Sequence, residues 1–182
     1  MDNSIFSAIY KTHVDNLYSY GIGLGYSHDI CLDAIHDVFC KLYSLNLPDN
    51  INNLKYYLLK SFKNRLVDIQ KSTKKEIIND NINDSLFVID VSVSDFIIDH
   101  EEEELIRKKV EVLMNILTDR QREAIYLRYM QELEYEEIGK LLQMNAESVR
   151  KLVYRGFEKI RQNTDPDLLG LIFFLLFFAN TK

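Results

Sequence analysis

The chain has 182 residues, 47% of them hydrophobic and 12% aromatic, with six glycines and only two prolines. That is material for a packed core in one ordinary domain or two small ones, with too little turn chemistry for an all-β fold. The formal net charge of −6 argues against a uniformly basic, non-specific nucleic-acid binder, so the distribution of charge along the chain becomes the informative quantity.

From the first residues onward the periodicity is helical. Residues 4–26 are expected to form a helix with Ile5, Phe6, Ile9, Leu17, Tyr18 and Ile22 on its apolar side, closed by the glycines at 21, 23 and 25. No apolar core of a signal peptide stands in "MDNSIFSAIYKTHVDNLY", and a cytoplasmic chain is expected. A second helix, about 28–44, has Leu32, Ile35, Phe39 and Leu42 at steps of three, four and three. Cys31 and Cys40 stand nine apart with no CxxC pair and, on this reading, no His at ligand spacing; they are expected to be reduced thiols, and no metal or cofactor is expected. The stretch "SLNLPDNINN", residues 44–53, is loop chemistry.

A third helix, roughly 53–71, carries Leu54, Leu58, Phe62, Leu66 and Ile69 on one stripe. Lys55, Tyr56, Lys60, Lys63, Asn64 and Lys71 lie on its other side, with Arg65 nearby. From Leu54 to Lys75 there are seven Lys or Arg against one acid, Asp68. A basic helix face is commonly no more than a solvated surface; Tyr56 and Tyr57 among the lysines also suit unstacked single-stranded bases. The composition then inverts: Glu76 to Glu104 holds ten acids and no Lys or Arg. This acidic stretch is expected to be a linker, with "LFVIDVSVSDFII" packing weakly or pairing as a short strand.

Order is expected again from Leu105, with Leu105, Ile106, Val110, Leu113, Met114 and Leu117 turned inward. Thr118 followed by Gln121 has the spacing of a capping box, so a new helix is predicted to begin at Asp119. Two shorter helices follow, about 134–142 and 146–162, and they fit a helix-turn-helix. Gly139 is the small residue at the crossing. Ile138, Leu142, Met144, Val149 and Leu152 are the apolar set, and Asn145 is the N-cap. The last helix is predicted to bury Val149, Leu152, Val153, Gly156 and Ile160 while showing Arg150, Lys151, Tyr154 and Arg155, then Lys159 and Arg161. Such a face suits the major groove, with Glu147 and Ser148 in the first turn where side chains first reach base edges. The competing view is a solvated basic face on an ordinary helical hairpin.

"LTDRQREAIYLRYMQELEYEEIGKLLQMNAESVRKLVYRGFEKIR" resembles the C-terminal DNA-binding domain of an extracytoplasmic-function (group 4) RNA polymerase sigma factor of the sigma-70 family. "LDAIHDVFCKLY" and "NLKYYLLKSFKNRLVDIQKS" resemble the sigma-2 domain of the same family, in the same order along the chain. The resemblance implies an all-α chain of two small helical domains, 1–72 and 105–163, joined by the acidic linker 73–104 and followed by a tail, 164–182. It implies core polymerase docking through Asp33, His36, Asp37 and Phe39. The −10 element would be held by Lys55, Tyr56, Lys60, Lys63, Asn64 and Arg65, with the loop bearing Asn46 and Asn50 capturing a flipped base. The −35 element would be recognised by Glu147, Ser148, Arg150, Lys151, Tyr154 and Arg155. In the family the linker threads the polymerase's RNA channel, where acidic residues mimic nucleic acid. The chain departs from the family pattern at His36, where Gln is common, at Gln143, where Gly is usual in the turn, and at Glu134, where a Ser-type cap is common.

The tail "LLGLIFFLLFFA", residues 168–179, has twelve residues without a charge, against the about twenty that a membrane span needs. It is expected to fold onto the chain's own core, to dock a partner such as an anti-sigma factor or accessory transcription factor, or to touch a membrane without stable insertion. The expected function is a non-enzymatic sigma factor that binds bacterial core RNA polymerase and promoter DNA. The alternative is a free-standing helix-turn-helix regulator, which leaves the basic face at 54–71 and the acidic linker without a role. An enzyme has no support from the His residues at 13, 28, 36 and 100.

Overall fold

A computed structural model describes residues 2–44, 53–76, 108 and 112–164 of the chain. The described residues form helices and no strand. The chain divides into two compact units, Met1–Leu86 and Phe87–Lys182. The loop with Asn46 and Asn50, the acidic stretch beyond Glu76, the positions Leu105, Ile106 and Val110, and the apolar tail lie outside the described residues.

In the first unit, α1 (Asn3–Gly23), α2 (His28–Ser44) and α3 (Leu54–Glu76) pack against one another. Asp2 caps α1: its carboxylate accepts from the Ser4 N–H at 3.2 Å and hydroxyl at 2.9 Å. Those two bonds favour the charged form and hold the Asp2 carboxyl below its ordinary value. At the other end, the Leu24 N–H reaches the Tyr20 carbonyl and the Tyr26 N–H reaches the Gly21 carbonyl. Gly25, at φ 82°, supplies the left-handed residue this ending requires.

The apolar side of α1 is corrected by its packing. Only its C-terminal half is buried, through Leu17, Tyr20, Gly21 and Gly23; Ile5 and Ile22 are exposed. Gly21 does not end the helix. It sits inside it, where a Cβ would stand 2.6 Å from the Cys31 sulfur and 2.9 Å from the Phe62 ring. The missing side chain is what lets α1 approach α2 and α3.

The buried stripe of α2 is Cys31, Ala34, Ile35, Val38, Phe39 and Leu42, and Leu32 faces solvent. A leucine three before Ile35 satisfies a helical pattern on paper. The close crossing at Gly21 instead selects the smaller Cys31 and Ala34, and burial pushes the Cys31 thiol above its ordinary value. From α3 come Leu58, Leu59, Phe62 and Leu66, all fully buried. Each such leucine contributes about 1.5–3 kcal/mol by leaving water. Leu54 and Ile69 are only half-buried, at the margins of that stripe.

In the second unit residues 112–116 are helical, with Leu113, Met114 and Leu117 buried. The predicted capping box is formed: the Gln121 N–H donates to the Thr118 hydroxyl at 3.3 Å, and the Thr118 N–H donates to the Gln121 side chain at 3.0 Å. It opens α4 (Asp119–Ile125), which runs into a π-helical turn, Tyr126–Met130. Next come α5 (Tyr135–Leu142) and α6 (Ala146–Gln162), which packs on both α4 and α5. Buried Arg122 ties the unit together, donating to the Met114 carbonyl at 3.3 Å and the Asn115 side chain at 3.2 Å, and pairing with Asp119. Tyr126 is buried beside Gln131, and burial pushes its phenol up to about 12.

Candidate nucleic-acid interface

The crossing of α5 and α6 follows from three residues. At Gly139 a Cβ would lie 2.6 Å from the Met144 carbonyl oxygen, so the turn closes against bare backbone. The Met144 N–H then donates to the Gly139 carbonyl at 2.9 Å. Gln143 adopts φ 56°, ψ 46° to reverse the chain, a left-handed conformation that costs a side-chain-bearing residue about 1–2 kcal/mol. Asn145 caps α6, its carbonyl oxygen accepting from the Ser148 N–H at 2.7 Å. At Glu134, the cap position of α5, the backbone N–H is satisfied by the Glu137 carboxylate at 3.0 Å.

α6 buries Val149, Val153, Gly156 and Ile160 as expected, while Leu152 is half-buried. Glu147, Arg150, Lys151, Tyr154 and Arg155 are exposed on it, and Ser148 is half-exposed in its first turn. One element therefore brings together all six residues expected at a duplex. Their charges are not equivalent. Arg150 approaches Glu136 of α5 at 3.4 Å and Glu147 at 3.8 Å, and Lys151 approaches Glu147 at 3.5 Å. Arg161 is taken up by Glu158 at 3.1 Å.

Sequence reasoning passed over Tyr135. This first residue of α5 has the Arg128 guanidinium 4.7 Å and the Arg150 guanidinium 5.1 Å from its ring centroid. Arg128 also donates to the Leu133 carbonyl at 2.8 Å and pairs with Glu134 at 3.3 Å. An aromatic at the start of the first helix of a helix-turn-helix is a visible signal. Its partners, however, lie seven positions before it and fifteen after, a link that only the crossing creates.

The first unit presents two neighbouring polar surfaces. On α2, Asp33 and His36 are exposed and Asp37 is partly so, but Phe39 is 2% exposed, with its ring 6.0 Å from Phe6 and 4.7 Å from Tyr10. Phe39 thus lies beneath the surface expected to dock the polymerase and does not offer its own side chain to it. His36 lies one turn before Cys40, its Nε2 3.5 Å from that sulfur, which corrects the expectation that no His stands at ligand spacing from the cysteines. Among the described residues no group of three or more His, Cys, Asp or Glu could hold a metal ion.

On α3, Lys60, Asn64 and Arg65 are exposed, and Lys55, Tyr56 and Lys63 are half-buried. The Lys60 ammonium stands 5.7 Å from the Tyr56 ring centroid, and the Tyr56 hydroxyl points inward. Arg65 Nε lies 2.6 Å from Asp37 Oδ2, so a residue expected to hold DNA and one expected to dock a protein form an ion pair. Asp37, Lys41, Ser61, Asn64 and Asp68 line the groove around that pair.

A family model described as "Sigma-70, region 4" matches residues 113–162, which span α4, the π turn, α5 and α6. The ECF RNA polymerase sigma factor SigM of Bacillus subtilis (strain 168) is 23% identical over 154 residues, covering 84% of this chain and 91% of its own. Among solved structures, the sigma factor RpoE of Bartonella quintana, crystallised in complex with the anti-sigma factor NepR, matches with a TM-score of 0.56 at 20% identity. That match covers 91% of this chain and 97% of RpoE. No helix among the described residues is long and apolar enough to cross a membrane.

Proposed function

We infer from these likenesses that the chain belongs to the sigma-70 family as a sigma factor of the extracytoplasmic-function type, and from that premise that it directs core RNA polymerase to particular promoters. The observation that carries this function is the exposed cationic face of α6, set by Gly139 and Gln143 at a helix-turn-helix crossing inside the stretch that matches sigma-70 region 4. Arg and Lys on such a helix meet base edges and phosphates of the −35 duplex. Glu147 and Ser148 enter first.

The residue roles in the first unit are proposed on the same footing. Lys55, Lys60, Lys63 and Arg65 supply positive charge for the −10 backbone, and Tyr56 and Asn64 supply ring and amide contacts to separated bases. Asn46 and Asn50 serve in base capture. Asp33, His36 and Asp37 face the polymerase, steadied by Phe39. Opening of the duplex draws on binding energy and captured bases, so the protein acts without catalytic residues, in the cytoplasm where the polymerase works. An anti-sigma factor or accessory protein is the proposed restraining partner, and the apolar tail is one surface for it.

Run-off transcription from a pool of promoter fragments, with bacterial core polymerase in the presence and absence of the chain, tests this function. Product that depends on the chain is expected. No product, together with a specific shift of duplex DNA by the chain alone, would transfer the case to a free-standing regulator.

A further inference from the structure

Arg150 differs from the other cations of α6 in how it is held. Its guanidinium lies beside the Tyr135 ring at 5.1 Å, 3.4 Å from Glu136 and 3.8 Å from Glu147. Tyr135 is itself fixed by Arg128 at 4.7 Å, and Arg128 is anchored on the Leu133 carbonyl and Glu134. Arg155, in contrast, is exposed with no ion pair among the described residues.

A guanidinium that stands beside a ring and two carboxylates has fewer rotamers open to it before it meets DNA than one with no such neighbours. Its charge is also partly compensated, which weakens its pull toward any phosphate within reach. A mobile, uncompensated arginine does the opposite: it follows the phosphates and carries no sequence information. Base-edge recognition by arginine needs a fork held in one plane and direction.

We propose that Tyr135 is a positioning residue for −35 specificity: its ring holds the Arg150 guanidinium in the orientation that reads a base edge, leaving Arg155 to the phosphate backbone. The proposal rests on the sigma-factor function and on α6 meeting the −35 duplex. Tyr135 acts through Arg150 by its aromatic face, so its hydroxyl is dispensable.

The test uses the full chain with core polymerase and the promoter fragment it selects from a random-sequence pool, alongside fragments carrying single changes in the −35 element. Discrimination is the ratio of affinities, measured over a range of salt concentrations. Tyr135→Leu is expected to lower discrimination at one or two adjacent −35 positions by roughly five- to tenfold, with the salt slope unchanged. Tyr135→Phe is expected to keep discrimination within about twofold, because the ring face remains. Arg155→Ala is expected to weaken all fragments alike and reduce the salt slope by about one.

Wild-type discrimination in Tyr135→Leu overturns the proposal, as does a loss in Tyr135→Phe equal to that in Tyr135→Leu, which would put the hydroxyl itself on the DNA. Arg150→Ala separates the levels. If it abolishes discrimination while Tyr135→Leu does not, the positioning role fails and the −35 assignment stands. If Arg150→Ala leaves discrimination intact in a chain that still directs the polymerase, the assignment of this face fails. Thermal melting of each variant guards against global unfolding, and Glu136→Gln, which removes one restraint without touching the ring, is expected to give a smaller loss at the same positions.

Discussion

Gln143 carries a conformational cost: its backbone N–H bonds the Gly139 carbonyl, as any residue's would there, and among the described residues its exposed side chain makes no hydrogen bond that offsets the strain. Glycine adopts the same left-handed turn freely, although it gives up more freedom on folding. Gln143→Gly is therefore expected to stabilise the second unit by about 0.5–1 kcal/mol, seen as a higher denaturant midpoint, while Gln143→Val at this φ is expected to destabilise it. At Gly139 the tolerance is opposite: a Cβ meets backbone at 2.6 Å, and the turn cannot yield without losing the Met144 bond. His13 gives a pH signature. Its burial, and then the nearby charge of Lys55, push the imidazole below its ordinary value of 6.5. As pH falls through that value the unfolded chain binds the proton first, so the stability His13 contributes is full above about 6.5 and declines below it. Urea midpoints at pH 7.5 and 5.5 should fall less in His13→Gln than in the wild type.

At the scale of elements, the two faces of α6 make separable predictions. Lys151→Glu or Arg155→Glu is expected to abolish promoter use while core polymerase binding persists, since both side chains are exposed and neither packs the core. A joint loss in a pull-down and in run-off assays would mean misfolding. α6 was also the most legible element. Its apolar positions recur at helical spacing, its cap is an asparagine, and its burial differs from expectation at Leu152, which stands beside the stripe, and at Lys159, which is half-buried. In α1 and α2 the pattern misled, because periodicity identifies which residues share a face but not where along that face the neighbours lie. Ile5 and Ile22 lie where no described element covers them, and Leu32 lost its place to Cys31 once Gly21 brought the helices close.

For the whole molecule, helix content and the helix-turn-helix could be read from local chemistry, because caps, glycines and apolar spacing act within a few residues. The Arg128–Tyr135–Arg150 arrangement and the Asp37–Arg65 pair could not. Each joins residues seven to twenty-eight positions apart through a crossing that no local signal encodes. The charge distribution has the same character. In a chain of net −6, exposed cations gather on α3 (Lys60, Arg65, Lys71) and on α6 (Arg150, Lys151, Arg155, Arg161), with single ones such as Lys11, Lys41, Arg120 and Lys140 on the other helices, and ten acids lie between Glu76 and Glu104, so the average conceals two basic surfaces.

The Asp37–Arg65 pair has a consequence for how docking is dissected. In the proposed assignment one carboxylate serves as counter-ion to two clients, the polymerase and the arginine that faces the −10 strand. Asp37→Arg then does more than remove a docking acid: it sets two cations against each other at the mouth of a groove and alters the strand-holding surface as well. The exchanged double variant, Asp37→Arg with Arg65→Asp, restores the internal pair with reversed polarity. Core binding is expected to stay lost in that variant while the thermal stability of the single variant recovers. In that assignment, protein recognition and strand recognition in this unit draw on one carboxylate.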